Sequence, residues 1–224
     1  MKIGIVGISG RMGKILEALI PEEERGGGIS SATSPDELVE IVKFSDVLVD
    51  FSTPAAALEA IDVAAQHKIP IVSGTTGFSN EEFQKFIKNA DKIPLLHANN
   101  FSLGIQLMAL LIRKCSETFP DFDFSIMDKH HNRKKDAPSG TALFLAQQAS
   151  SKAQIASLRE GNIFGEHTCD FVGEHEMLSI SHRAFDREIF AAGALKCARW
   201  IYQKPPRLYS MQDYLDDVAN FKKN

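Results

Sequence analysis

The sequence has little of what marks secreted or membrane proteins. Its 224 residues include only three cysteines, Cys115, Cys169 and Cys197. Because these are odd in number and far apart, they do not form a disulfide framework, and we interpret them as reduced core residues. No apolar run reaches about 18 residues, the length that favours a transmembrane helix. The first ten residues also lack the apolar region of a signal peptide. We therefore expect a cytoplasmic protein that does not associate with membranes.

The excess of one sign of charge over the other is also small. The formal net charge is −4, which gives no reason to expect general binding to nucleic acids. The apolar content of 44% and the charged content of 24% are typical of a soluble globular protein with a real core. The length allows one large domain or two small ones.

Short apolar runs alternate with helical patterns in the first half of the chain. The predicted strands are Lys2–Val6, Val47–Phe51, 69–72 and 93–97, and the predicted helices are Arg11–Ile20, Ala55–His67 and 80–89. This alternation predicts βαβ units around a parallel sheet, which makes the fold class α/β. The turn-rich stretch Glu22–Ser34 should hold the second strand. Only Ile29–Thr33 is a candidate there, as a short strand or a flexible loop.

The pattern changes after residue 100. A long apolar helix is followed by strands, and Ile155–Ala184 is typical of antiparallel strands. We therefore predict an N-terminal domain over residues 1–100 and a C-terminal α+β domain over residues 101–205. We expect the tail, residues 206–224, to pack back on the first domain.

The loop after the first strand carries the spacing G-x-x-G-x-x-G, from Gly7 to Gly13. Glycines at a strand-to-helix turn let the backbone approach a pyrophosphate, while the free amides of the helix face the anion. The loop predicts dinucleotide binding, and Arg11 can add a cation. The alternative is a glycine turn with a purely structural purpose. The acid expected after the second strand is not visible, so the choice between NAD and NADP stays open.

Further loops follow the other predicted strands. They are Asp50–Pro54, Gly74–Gly77 and Ala98–Phe101. Ligands of parallel sheets bind past the carboxyl ends of strands, so these loops predict the floor of the cofactor site. The competing interpretation is a set of ordinary turns with Ser and Thr caps.

Residues 129–142, KHHNRKKDAPSGTA, place two histidines and four cations in seven positions. Pro138 and Ser139 favour a helix start, and the amides of Gly140 and Thr141 would then form an anion cradle. A carboxylate-bearing small molecule suits this place, and His130 or His131 can donate a proton near neutral pH. Three alternatives are a solvated basic loop, a nucleic-acid contact and a pair of metal ligands.

Seven motifs occur in a characteristic order over nearly the whole chain. They are GISGRMG, DFSTP, GTTGF, NFSLG, KHHNRKKDAPSGTA, GEHE and SHRAFDREIFAAGAL. Together they resemble the 4-hydroxy-tetrahydrodipicolinate reductase family, also called dihydrodipicolinate reductase, of the bacterial diaminopimelate and lysine pathway. The block around DAPSGTA is the most specific of them.

The resemblance implies a function, a fold and an assembly. The family reduces a cyclic, dicarboxylate-bearing imine-type substrate with NADH or NADPH, and no metal is implied. The family fold is a Rossmann-type domain joined to an α+β substrate and tetramerisation domain, usually in a homotetramer. By motif position, His130 resembles the catalytic proton donor and Lys134 its partner, and His131, Gly140 and Thr141 resemble substrate contacts. The implied cofactor contacts are Gly7, Ile8, Ser9, Gly10, Arg11, Met12, Gly74, Thr75, Thr76, Ala98, Asn99, Asn100 and Phe101.

The chain departs from the family pattern at three places. Asp128 stands where many members carry Glu, and Asn99 stands where a small residue or proline is usual. The region Glu22–Ser34 is shortened, which leaves the cofactor preference open. Two other functions are weighed against the reductase: a regulatory protein that senses NAD(P)H without catalysis, and a reductase of another dicarboxylate.

Overall fold

The structure, a computed structural model, describes residues 1–150 and 152–220, so the last four residues of the predicted tail lie outside the described residues. The strands are β1 (Ile3–Val6), β2 (Arg25–Ile29), β3 (Val47–Asp50), β4 (Ile71–Ser73), β5 (Pro94–His97), β6 (Asp123–His130), β7 (Gln154–Arg159), β8 (Gly165–Val172), β9 (Met177–Ala184) and β10 (Arg207–Tyr209). The helices are α1 (Arg11–Leu19), α2 (Pro35–Phe44), α3 (Pro54–His67), α4 (Asn80–Lys88), α5 (Leu103–Thr118), α6 (Gly140–Ala146), α7 (Glu188–Ile201) and α8 (Met211–Asn220).

The chain divides into two compact units. The first comprises Met1–Phe101 and the described residues from Phe190 onward, and the second comprises Ser102–Ile189. Helix α7 falls almost wholly in the first unit, whereas the sequence analysis includes it in the domain over residues 101–205. The reason is close packing, because a Cβ added at Gly193 would lie only 1.9 Å from the carbonyl oxygen of Phe101.

The first unit contains a six-stranded parallel sheet in the order β10-β5-β4-β3-β1-β2. Strands β1, β3 and β4 are buried along their whole length, as continuous apolar strands covered on both faces should be. Val42 of α2, Ile61 of α3 and Phe86 of α4 are fully buried in the core that covers the sheet. The predicted parallel α/β domain is confirmed.

Strand β2 forms where the sequence analysis did not place it. The strand covers Arg25–Ile29, including three consecutive glycines, rather than Ile29–Thr33. Gly27 has φ of +110°, and the register of β2 against β1 shifts beside this residue. A β-bulge with a positive φ requires glycine, so residues of poor strand propensity fit this strand.

The second unit contains a four-stranded sheet in the order β7-β6-β8-β9. Helices α5 and α6 pack on one face, where Ile112, Phe124, Leu145 and Phe171 share a core. We define the outer face of this sheet by Met127, Thr168, Val172, Met177 and Ser181, which are exposed or half-buried in this chain. The alternation of buried and accessible residues along β6 and β8 follows from the period of two in a strand.

The expectation that Ile155–Ala184 forms only antiparallel strands is wrong for its first part. Strand β7 pairs parallel to β6, while β8 and β9 form antiparallel pairs. Helix α6 lies between β6 and β7 in the chain and provides the crossover that a parallel pair requires. Within the described residues, no helix is long and apolar enough to span a bilayer.

Candidate active site

The loop after β1 has the backbone geometry of an anion-binding glycine loop. Gly7 has φ of +87°, and the amides of Gly7 and Ile8 donate to the Ile29 carbonyl at 2.8 and 3.1 Å. Gly10 is the N-cap of α1, and no side chain of the described residues caps that helix end. A Cβ at Gly13 would lie 2.2 Å from the Gly7 carbonyl oxygen, so this close approach requires glycine. The first amides of α1 therefore suit a pyrophosphate.

The turn after β2 carries hydroxyl groups where an acid is common in this type of sheet. The Ser30 amide donates to Thr33 Oγ1 at 2.9 Å, and the Ala32 amide donates to Ser30 Oγ at 3.2 Å. Ser31 is exposed in this turn. No carboxylate stands at positions 30–33, so no negative charge there opposes a phosphate on the adenosine ribose.

The buried carboxylate of Asp50 joins the loops after β3 and β4. It accepts hydrogen bonds from the amide of Ser52 at 3.0 Å, from the hydroxyl of Ser52, and from the hydroxyl of Ser73 at 2.6 Å. The Ser52 amide also donates to Thr75 Oγ1 at 2.8 Å. The Gly74 amide donates to the Asp50 carbonyl at 2.8 Å. The two predicted floor loops are therefore connected to each other.

Asp50 has unusual electrostatics for a carboxylate. It is fully buried and makes no ion pair among the described residues. Burial raises the pKa of Asp50, while its hydrogen bonds from Ser52, Ser73 and Thr75 act in the opposite direction. The sequence analysis quoted Asp50 within its motif but assigned it no role. The available signal was a charged residue that ends an otherwise apolar strand.

The loop after β5 continues the same edge of the sheet. The Ala98 amide donates to the carbonyl of Ser73 at 3.1 Å. Phe101 is buried, and its ring packs edge-on against Phe51 with the centroids 5.7 Å apart. Between Ala98 and Phe101 in the chain, Asn99 is exposed and Asn100 is half-buried. Among the other predicted cofactor contacts, Ser9, Arg11 and Thr76 are exposed and Thr75 is buried. The half-buried ones are Gly7, Ile8, Gly10, Met12, Gly74 and Ala98.

The basic segment of the second unit begins at the end of β6 and ends at α6. His130 is the last residue of β6 and is buried. Ser139 caps α6, because its Oγ accepts a hydrogen bond from the Ala142 amide at 3.1 Å. Gly140 is exposed and Thr141 half-buried in the first turn of α6. The predicted helix start at Ser139 is confirmed.

A buried carboxylate, that of Asp128, lies between the two ends of this segment. It is fully buried and receives contacts from three strands and the α6 cap. Oδ1 lies 2.9 Å from His130 Nδ1, 2.8 Å from Ser139 Oγ and 3.4 Å from His167 Nε2. Oδ2 lies 3.0 Å from the Ser139 amide, 3.1 Å from Ser157 Oγ and 3.0 Å from Arg159 Nη2.

These contacts keep Asp128 ionised. Burial alone would raise its pKa, but the contacts from His130, His167 and Ser139 hold the pKa far below the usual value of an aspartate. The sequence analysis noted Asp128 only as a departure from the family pattern. Its spacing of two from His130 along a strand places both on one face, and that signal was available.

The two ring nitrogens of His130 have different surroundings. Nδ1 is buried without a well-aimed hydrogen bond, and the Asp128 carboxylate lies 2.9 Å from it. On the other side of the ring, a Cβ added at Gly165 would come within 3.0 Å of Nε2. Glycine at this position therefore leaves room beside Nε2. Of the two nitrogens, Nε2 is the one that does not lie next to the Asp128 carboxylate.

The other predicted substrate residues flank this histidine. Lys134 forms an ion pair with Asp136 at 2.8 Å, and this pairing lowers the pKa of Asp136. His131 is half-buried, and desolvation together with the charge of Arg133 lowers its pKa. His131 is therefore mostly neutral at pH 7. The partner of Lys134, Asp136, is exposed, so a ligand carboxylate can replace it in the ion pair.

Asp128, His130 and His167 also form the kind of trio that can hold a metal ion, since their ligand atoms lie within 4.8 Å of one another. His167 joins this trio only because the register of β6 against β8 places it opposite Asp128, and the sequence does not specify that register. The Arg159 guanidinium lies 3.0 Å from the carboxylate and opposes a further cation there. We therefore interpret the trio as an electrostatic cluster around a carboxylate.

Comparisons with known proteins agree over nearly the full length of the chain. Family models described as "Dihydrodipicolinate reductase, N-terminus" and "Dihydrodipicolinate reductase, C-terminus" match residues 1–101 and 104–215. A 4-hydroxy-tetrahydrodipicolinate reductase of Rickettsia rickettsii is 36% identical, covering 95% of this chain and 98% of its own. One of Zymomonas mobilis is 37% identical, covering 96% and 97%.

A solved structure supports the fold. It is the dipicolinate-bound dihydrodipicolinate reductase of Paenisporosarcina sp. TG-14, with a TM-score of 0.78 and 23% identity. The likeness covers 94% of this chain and 97% of that one.

We expect Asp50→Asn to remove part of the pH dependence of stability in the first unit. Because folding raises the pKa of Asp50, its contribution to the free energy of unfolding falls as pH rises above about 4, the pKa of an exposed aspartate. Thermal unfolding followed by the fluorescence of Trp200, the single tryptophan, reports on this unit. The Tm of the variant relative to the parent should increase from about pH 4 to about pH 8.

The exposed carboxylate of Asp91 provides the matched control, as Asp91→Asn makes the same chemical change in the same unit. A Tm difference between Asp50→Asn and the parent that stays constant over this pH range contradicts the account of Asp50.

Proposed function

The chain belongs to the dihydrodipicolinate reductase family and is a nicotinamide-dependent oxidoreductase, and we propose that it reduces 4-hydroxy-tetrahydrodipicolinate to tetrahydrodipicolinate. The reaction serves diaminopimelate and lysine biosynthesis, and we place it in the cytoplasm, without a nucleic-acid or membrane partner. The observation that carries the proposal is the His130 ring, whose buried nitrogen faces a carboxylate at the end of a cation-rich segment.

The proton donor in this proposal is His130. The substrate first loses its 4-hydroxyl group and an adjacent ring hydrogen as water, which leaves a conjugated imine. A nicotinamide held by the loops of the first unit would supply the hydride that adds to this conjugated system. Hydride addition leaves negative charge on the carbon skeleton, and that charge needs a proton and a nearby cation. His130 donates the proton from Nε2, and Lys134 stabilises the charge. The ionised Asp128 carboxylate lies 2.9 Å from Nδ1, next to the ring nitrogen that does not donate.

The substrate carries two carboxylates, and the segment that follows β6 suits a dianion. Lys134 can exchange the exposed Asp136 carboxylate for a substrate carboxylate, because exposed ion pairs contribute little to stability. The amides of Gly140 and Thr141 open α6 behind the Ser139 cap and can donate to the same ligand. His131, neutral and half-buried beside them, completes the proposed contacts.

The residues of the first unit fit a dinucleotide. The proposed contacts of the pyrophosphate lie in the loop from Gly7 to Met12. The amides of Gly7, Ile8 and Gly10 already donate to carbonyls of the protein, so we assign the donors to the amides of Arg11 and Met12 at the start of α1, and the absence of a side-chain cap at Gly10 supports this assignment. The connected loops that hold Gly74, Thr75 and Ala98 to Phe101 provide the floor for the nicotinamide half. We propose that both NADH and NADPH serve as cofactors.

We also propose that the protein is a homotetramer that assembles through the outer face of the second sheet. Met177 is 62% exposed and Val172 39% exposed at one end of this face, and β9 is an edge strand. Exposed apolar side chains on an open sheet favour burial against another protein surface.

The coupled assay with the preceding synthase tests the activity. With the synthase product present, we expect steady oxidation of NADH and of NADPH, and without it none. Oxidation of neither cofactor in the presence of the product contradicts the reductase and leaves the regulatory alternative.

We expect His130→Gln and Lys134→Ala each to lower kcat about 100-fold or more, the effect of losing a general acid or its supporting cation. Cofactor binding, measured by fluorescence titration, should stay within about threefold of the parent, since neither side chain belongs to the proposed cofactor contacts. A variant that turns over like the parent shows that its residue has another role.

We expect NADPH to bind at least as tightly as NADH, because the turn after β2 presents hydroxyls instead of a carboxylate. Ser31→Asp should weaken NADPH binding about tenfold or more and leave NADH binding nearly unchanged, since a carboxylate repels the 2′-phosphate. Ser31→Asn is the uncharged control of similar size. Equal loss of both cofactors on Ser31→Asp contradicts this role for the turn.

Light scattering coupled to size exclusion tests the assembly. We expect a mass about four times the chain mass of 24.7 kDa. Met177→Glu should shift the protein toward smaller species, because it places a charge on the outer face. A parent protein that elutes as a monomer rejects the tetramer without affecting the assignment of the reaction.

A further inference from the structure

The carboxylate of Asp128 is held more firmly than the histidine it faces. Arg159 Nη2 donates to Oδ2 at 3.0 Å and to the carbonyl of Asp136 at 2.6 Å. Ser157 Oγ and the Ser139 amide also donate to Oδ2 of Asp128, and the Ser139 hydroxyl donates to Oδ1. These donors come from β7 and from the cap of α6, so the carboxylate cannot turn to follow a change in the His130 ring.

A fixed anion next to Nδ1 decides which nitrogen of His130 carries a proton in the neutral ring. An unprotonated Nδ1 would place its lone pair 2.9 Å from a carboxylate oxygen, which is unfavourable in a buried place. The neutral ring therefore keeps its proton on Nδ1. Nε2, which lies beside Gly165, is then the nitrogen that takes up and releases a proton.

We propose that Asp128 is a positioning residue for the reaction: its carboxylate, fixed by Arg159 and Ser139, sets the tautomer and orientation of His130 and reserves Nε2 for proton delivery. The proposal rests on the proposed function, in which His130 is the proton donor. Asp128 touches neither substrate nor cofactor in this account and acts through His130 alone.

Positioning and plain structural support predict different results. A structural role predicts that loss of the carboxylate lowers stability and leaves the folded fraction fully active. Positioning predicts that the folded protein binds substrate normally and transfers the proton slowly. The two are separated by the response of kcat against that of KM, and by the protonation of the His130 ring nitrogens.

The kinetic test compares Asp128→Asn and Asp128→Glu with the parent. For Asp128→Asn we expect kcat to fall about 10- to 100-fold, the range for losing the partner that orients a metal-ligating histidine, which we apply here to a proton-donating one. KM should stay within about threefold, because the proposed substrate contacts remain. Asp128→Glu keeps the charge, and its kcat should stay within about threefold of that of the parent.

Asp123→Asn is the matched control, since it makes the same chemical change at an exposed position of the same strand. Its kcat should equal that of the parent. Circular dichroism and Tm identify variants that fail to fold. If an Asp128 variant does not fold, Arg159→Met is measured in its place. That change removes the guanidinium and keeps the carboxylate, and it should lower kcat at nearly constant KM.

A measurement that needs no turnover keeps the proposal separate from the proposed function. ¹⁵N NMR of histidine-labelled protein at a pH where His130 is neutral should show a protonated Nδ1 and an unprotonated Nε2 in the parent, and a mixture of tautomers in Asp128→Asn. His130→Gln assigns the resonances. If the parent shows this tautomer but oxidises no cofactor, the proposed function fails and the positioning by Asp128 stands.

Two results overturn the positioning role. One is a folded Asp128→Asn variant with the kcat of the parent. The other is a neutral His130 in the parent with its proton on Nε2.

Discussion

The carboxylate of Asp128 draws together elements that are far apart in the sequence. It meets the last residue of its own strand at His130, the cap of α6 at Ser139 and the neighbouring strand at Arg159. The loop of cations between His130 and Ser139 is thereby closed at both ends on one buried charge. Closing a loop in this way lowers the entropy that its residues lose when they bind a ligand. The proposed proton donor and the proposed carboxylate contacts depend on the same group.

A second buried aspartate, Asp50, connects the proposed cofactor loops of the first unit in a different way. Asp50 accepts hydrogen bonds from hydroxyls and amides, and burial raises its pKa. The pKa of Asp128 is lowered by two histidines and by the hydroxyl and amide of Ser139, and a guanidinium lies beside this carboxylate. The first arrangement joins two loops through Ser52, Ser73 and Thr75 without adding a cation–anion pair. The second maintains a permanent negative charge beside an imidazole. Each suits the role proposed for its place, since one supports the proposed cofactor floor and the other the proposed proton transfer.

The sequence predicted the parts of this protein that depend on local pattern. The apolar runs of β1 and β3 predicted the parallel sheet, and Ser139 predicted the start of α6. Strand β2 was missed because its glycines have low strand propensity, and only its bulge against β1 explains them. Nothing in the sequence places β7 beside β6, because pairing partners are set by tertiary packing.

The residues of the candidate site likewise fall into those that the sequence identified and those that it did not. The glycine spacing located the loop from Gly7 to Gly13, the basic segment indicated His130 or His131, and the resemblance then singled out His130 and Lys134. The supporting residues were missed for different reasons. Asp128 could have been identified from its spacing of two from His130 along a predicted strand. His167 and Arg159 reach the carboxylate only through the register of β6 with β8 and β7, which the sequence does not specify.

The most direct test is a crystal structure of the protein with dipicolinate, the dicarboxylate bound in the solved relative from Paenisporosarcina. The account predicts that the ligand carboxylates contact Lys134 and the amides of Gly140 and Thr141, that Nε2 of His130 faces the ligand, and that Nδ1 still faces Asp128. A ligand bound away from these residues, or a His130 ring turned so that Nδ1 faces the ligand, would contradict it.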